Sequence, residues 1–190
     1  MRFNDHSKLR DMHSVLSPSS PAWLNYDENK MVARYLSLRA AARGTKLHAI
    51  AHDLITEKIN LPDTKKTIHQ YVNDAIGFKM TSEQTLFYSP NCFGTADTIA
   101  YRQNTLRIHD LKTGTSKVSF GQLLIYAAIF FLEYEKLQVK PYETHVVLRI
   151  YQNNTFAEYV VEDMGEIVQI MSKIVMLDAI ITREREEEIS

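Results

Sequence analysis

The stretch Gly94-Thr95-Ala96-Asp97-Thr98-Ile99-Ala100-Tyr101-Arg102, then Gln103-Asn104, then Thr105-Leu106-Arg107-Ile108-His109-Asp110-Leu111-Lys112-Thr113-Gly114 reads as two strands joined by a tight hairpin turn. Side chains alternate faces along a strand, so Asp110 and Lys112 point the same way while Leu111 points into the core. Asp97 lies on the partner strand. Two carboxylates brought close on opposed strands would force one of them to stay protonated. A divalent cation removes that conflict, and oxygen ligands with open water positions suit Mg²⁺ or Mn²⁺. The backbone carbonyl of Leu111 can complete such a shell. Lys112 is placed to orient or deprotonate an attacking water and to neutralise charge on a phosphate. The outline is that of a metal-dependent phosphodiesterase site. Asp-x-Lys alone is common, and by itself it reads as a surface ion pair at a strand end.

At 190 residues, with 45% hydrophobic and 24% charged residues, the chain is long enough to bury a core without staples, and one domain over 1–190 is expected. Residues 1–25 read as an irregular lead-in and 183–190 as a charged tail. The single cysteine, Cys92, excludes an internal disulfide and any four-cysteine cluster within the chain, and fits a reducing, cytoplasmic compartment. No apolar run approaches the roughly 20 residues of a membrane span, so no membrane partner is expected. The first residues lack the apolar core of a signal peptide. A formal net charge of -1 argues against an indiscriminate nucleic-acid coat. It leaves room for a local basic track, formed by Lys46, Lys58, Lys65, Lys66, Lys79, Arg102, Arg107, Lys112 and Lys117.

Outward from the hairpin, the pattern predicts helices over 28–42, from Gly44-Thr45 to 59, and over 64–78. Thr45 would cap the second, with Leu47, Ile50, Ala51, Leu54 and Ile55 as its apolar stripe. A short helix with Pro21 at its first position and Ser19 or Ser20 as cap would carry Trp23 and Leu24. Strands follow over 84–89, 94–102 and 105–112, then a buried helix over 120–138. A hairpin over 144–152 and 156–161 turns at Asn153-Asn154, and an amphipathic helix over 162–187 closes the chain. The class is α/β with an α+β-like order, a central mixed sheet flanked by helices.

Gln122 and Tyr126 are one helical turn apart and face the same side. Gln122 can donate to a phosphate or base, and Tyr126 can stack or hydrogen-bond there. Without the upstream acids they read as an ordinary helix face. Four blocks now stand in order: Gly44-Thr45-Lys46-Leu47-His48, Gly94-Thr95-Ala96-Asp97, Asp110-Leu111-Lys112-Thr113-Gly114 and Gln122-Leu123-Leu124-Ile125-Tyr126. With the lead-in Leu16-Ser17-Pro18-Ser19-Ser20 and Trp23-Leu24, the chain resembles the RecB-like nucleases of the PD-(D/E)XK superfamily, phage-encoded exonucleases among them. The resemblance spans roughly residues 16–130.

The resemblance implies a restriction-endonuclease-like core and a metal-dependent DNA exonuclease used in recombination, replication or repair in a bacterial or phage-infected cytoplasm. It makes His48, Asp97 and Asp110 metal ligands, Lys112 the catalytic lysine, and Gln122 and Tyr126 the substrate-side pair. Lys117 is a further substrate-side candidate. His52, one turn beyond His48, can share or replace its role, and a lone helical histidine is more often structural than a ligand. His69 and His109 read as incidental, with His109 on the opposite face from Asp110. No helicase motif is present, so unwinding would come from a helicase partner, and a single-strand-annealing protein is the other expected partner. A ring-shaped homo-oligomer enclosing DNA would lessen the affinity the acidic chain needs. Two other classes stay open: a module of the same fold that binds nucleic acid or protein without cutting, and an unrelated metal enzyme acting on a smaller phosphoester.

Overall fold

The computed structural model describes residues 16, 21–114 and 117–189. A 3₁₀ turn, Pro21–Asn25, carries Trp23 and Leu24, as the Pro21 start predicts; Ser19 and Ser20 lie outside the described residues. Four α-helices and five strands follow. They are α1 (Glu28–Thr56), α2 (Thr67–Gly77), β1 (Thr81–Ser89), β2 (Cys92–Arg102), β3 (Thr105–Leu111), α3 (Gly121–Glu133), β4 (His145–Gln152), β5 (Thr155–Val160) and α4 (Gly165–Ile189). Two compact units divide the chain, Met1–Thr45 and Lys46–Ser190.

In the first unit, Met31 and Leu38 are half-buried while Val32, Tyr35 and Leu36 are exposed. The expected helix break at Gly44-Thr45 does not occur. The Thr45 hydroxyl donates to the Ala41 carbonyl one turn back, at 3.2 Å, so it sits inside a helix and caps nothing.

The second unit is an α+β assembly: a five-stranded mixed sheet in the order β1-β2-β3-β4-β5, flanked by helices. Every neighbouring pair is antiparallel except β3–β4, which is parallel. Parallel neighbours need a crossover, and α3 lies in that connection. The turns at Gln103-Asn104 and Asn153-Asn154 hold both residues at positive φ, 50° and 55° in the first and 53° and 60° in the second. That is the type I′ geometry that suits the right-handed twist of paired strands.

Alternation splits the sheet's apolar residues between two clusters. Leu106, Ile108, Val146, Leu148 and Ile150 pack with Leu123, Ala127, Phe131 and Ile167 of α3 and α4. Leu111 and Tyr151 pack with Ala51 and Ile55 of α1 and Tyr71, Val72 and Ala75 of α2. Of the expected α1 stripe, Ile50 faces out, 49% exposed, because it lies off the side that meets the sheet. The helix expected over 120–138 ends at Glu133; a 3₁₀ turn, Glu135–Leu137, and a left-handed Gln138 finish that segment. Among the described residues no helix is long and apolar enough to cross a membrane.

Candidate metal centre

The site forms where α1, β1, β2 and the end of β3 meet. Asp97 is on β2 and its Oδ2 accepts the Leu111 backbone N–H at 2.9 Å. This bond ties the two strands together where their ladder pairing, last seen at Thr98 and His109, has ended. His48, on α1, brings Nδ1 to 3.4 Å from the same Oδ2. Its pKa is raised, first by the hydrogen bond to Asp97, against the opposing effect of burial, with the charge of Asp97 and the Leu111 backbone adding to the rise.

Asp110 is 5% exposed. Lys112 Nζ donates to its Oδ1 at 3.0 Å and to Gln122 Oε1 on α3 at 3.1 Å. The other oxygen, Oδ2, is buried with no hydrogen-bond partner among the described residues. Such a vacancy costs about 1–3 kcal/mol for a neutral group and more for a charged one. Burial first, and then repulsion from Asp97, raise the Asp110 pKa, while Lys112 opposes the rise. The two acids therefore sit in the conflict that a cation relieves.

A third acid joins them. Ligand atoms of His48, Glu83 and Asp97 all lie within 4.8 Å of one another, a group able to hold a metal ion. Glu83 is on β1 between Ser82, paired with Thr98, and Gln84, paired with Ala96, so it stands opposite Asp97. Its φ is 53°, a left-handed conformation that a non-glycine residue adopts inside a strand only at a cost of about 1–3 kcal/mol. The strand reading began at Gln84 and missed Glu83. Counting outward from the turn at Pro90-Asn91, with Ser89 against Cys92, sets Glu83 against Thr98; the register shift between Phe87 and Ser89 is what brings Asp97 opposite it.

The donor set, the Glu83 and Asp97 carboxylates and the His48 imidazole, suits a hard divalent cation; Asp110, expected as a ligand, is not among the residues whose ligand atoms lie within 4.8 Å of one another. His52 goes elsewhere, its Nδ1 2.8 Å from Ser82 Oγ. Leu111 contributes its N–H to Asp97, and its side chain is buried in the α1–α2 cluster. Tyr126 donates its hydroxyl to the Thr95 carbonyl at 2.7 Å, and its ring lies against Gly94, where a Cβ would meet Cε1 at 3.0 Å. This contact locates the Gly94-Thr95 entry to Asp97. Lys117 is exposed and makes no ion pair or hydrogen bond with the described residues.

The remaining histidines have structural surroundings. His69 Nδ1 lies 2.9 Å from the Pro62 carbonyl and 3.0 Å from Thr64 Oγ1. His109 is fully buried between Phe78 and Tyr151, and burial, with Arg149 and Arg107 adding, lowers its pKa to about 3.

Beside the site a cleft of about 540 Å³ runs past Lys112, bounded by Leu47, Lys66, Gly114 and Asn153. Comparison with family models, curated proteins and solved structures finds no match for the chain.

Proposed function

We propose that the chain is a divalent-metal-dependent DNA nuclease of the RecB-like type, with a restriction-endonuclease-like core, acting from strand ends. One observation carries the reading: Asp110 is buried with one oxygen unpartnered and the other held by Lys112, beside the His48–Glu83–Asp97 group. A structural ion pair would satisfy its carboxylate, whereas here one buried oxygen is left without a partner, and Asp97, whose charge Asp110 feels, belongs to the group able to hold a metal ion.

His48, Glu83, Asp97 and Asp110 would hold Mg²⁺ or Mn²⁺. An ion held there would supply positive charge beside the phosphate and would lower the pKa of a water bound to it. The chain's own groups do the rest. Lys112, fixed between Asp110 and Gln122, keeps its ammonium at the site, where it neutralises charge gathering on the phosphoryl oxygens. Gln122 spends its carbonyl oxygen on Lys112, which leaves its amide N–H groups to donate to a phosphate oxygen or a base edge. Tyr126 fixes the strand that carries Asp97.

The test is incubation of the purified protein with end-labelled linear DNA and closed circular DNA, in Mg²⁺, Mn²⁺ or EDTA. Metal-dependent loss of linear DNA is expected, with rates falling at least 100-fold in Asp110→Ala and Lys112→Ala. Cleavage of closed circles would replace end-directed action with internal cutting. Binding without cleavage in any metal would overturn the enzymatic reading.

A further inference from the structure

The far end of α2 and the β2–β3 turn enclose a second pocket, of about 370 Å³, lined by Phe78, Lys79, Arg102, Gln103, Thr105 and Arg107 together with Gly77 and Ala100. Three cations line it and no carboxylate does. None of the three makes an ion pair among the described residues, in a chain whose formal net charge is -1. The Arg107 guanidinium lies over the Phe78 ring, 4.6 Å from its centroid, which holds the charge in place without neutralising it.

Lys79 is the unusual member. Its N–H donates to Ile76 and that of Met80 to Ala75, the paired bonds of a Schellman helix end. The position requires a left-handed residue, and glycine is its usual occupant; here lysine holds it with φ 54°.

The pocket is connected to the metal centre along two strands. From Glu83 back to Thr81 the chain follows the edge strand β1, with Lys79 two residues before its start, and from Asp97 to Arg102 it follows β2. At about 3.4 Å per residue the β2 route covers about 17 Å. That matches about five nucleotides of a duplex strand at about 3.4 Å each.

We propose that this pocket is an anion site for the phosphodiester backbone of the nucleic-acid strand held at the metal centre, about five nucleotides from the cut. The proposal rests on the nuclease reading for its ligand class. Backbone contacts position a strand without reading its sequence, as three unpaired cations and a turn amide side chain would do.

Fluorescence anisotropy with labelled single-stranded and duplex oligonucleotides of 4 to 20 nucleotides, in EDTA, tests it. For long strands, Lys79→Gly should lower the slope of log affinity against log salt by about 1, and Lys79→Gly with Arg102→Gln by about 2. For tetranucleotides the variants should bind like the wild type. Lys79→Gly should melt no lower than wild type, since glycine suits the left-handed position, so a binding loss is not unfolding. Unchanged slopes in both variants, while wild type binds and cuts DNA, would overturn the pocket and leave the nuclease standing. Tetranucleotide binding weakened as much as that of the long strand would overturn it in favour of a small phosphate ligand. A wild type that binds no nucleic acid would remove the functional reading and the pocket's role together.

Discussion

At the scale of single residues, Glu83 and His109 show how the environment decides what a titratable group does. Glu83 owes its place to a left-handed backbone inside β1, which sets its carboxylate with His48 and Asp97. Glu83→Gln keeps the shape and removes the charge, so Mn²⁺ affinity measured by calorimetry should fall about tenfold or more. His109 is the opposite case, buried neutral among aromatic rings. Its folded pKa, about 3, lies below the ordinary 6.5. The folded state therefore binds fewer protons than the unfolded state between those values, and stability falls as pH drops through that window. A shift of this size corresponds to a few kcal/mol. The resistance of the wild type to chemical denaturation should weaken between pH 6 and 4, and His109→Phe should flatten part of that slope. The same acids were unevenly legible beforehand: Asp97 and Asp110 stood in a readable hairpin, while Glu83 depended on a backbone outlier that no local pattern announces.

At the scale of elements, the contact between α3 and the start of β2 fixes the strand that carries Asp97. Gly94 gives the Tyr126 ring room, and the Tyr126 hydroxyl fixes the Thr95 carbonyl. Gly94→Ala forces a methyl against a ring that its hydroxyl keeps from moving away. A loss of about 1–3 kcal/mol is expected in urea unfolding. Tyr126→Phe should cost about 1 kcal/mol and, by loosening β2, should lower kcat more than it raises KM. The two-residue turns and the alternation of β2 and β3 were legible because they are local. The continuity of α1 through Gly44-Thr45 was not. A threonine after glycine carries the signature of a cap, and only the surrounding helix decides that its hydroxyl bonds backward to Ala41.

At the scale of the whole molecule, the metal-free protein carries a built-in electrostatic cost. Asp110 and His48 both have raised pKa values, so the stability each contributes is present at low pH and lost as pH rises through its folded value. A cation should return that stability at neutral pH. Mn²⁺ at about 100 times its Kd would add about 2.7 kcal/mol, read as a higher melting temperature that EDTA reverses and Asp97→Ala abolishes. Because protonated imidazole cannot ligate, the gain should shrink as pH falls through the raised pKa of His48, starting above the ordinary 6.5. The sequence by itself determined the mixed helix and strand content, the hairpins at Gln103-Asn104 and Asn153-Asn154, and the pairing of Asp110 with Lys112. These follow from neighbours in the chain, through side-chain alternation and turn chemistry. Only the tertiary structure decided that Glu83 stands against Asp97, that His48 rather than His52 meets the acids, and that Lys79, Arg102 and Arg107 share one pocket. Those placements depend on strand register and on which helix face meets the sheet, and packing of the whole chain fixes both.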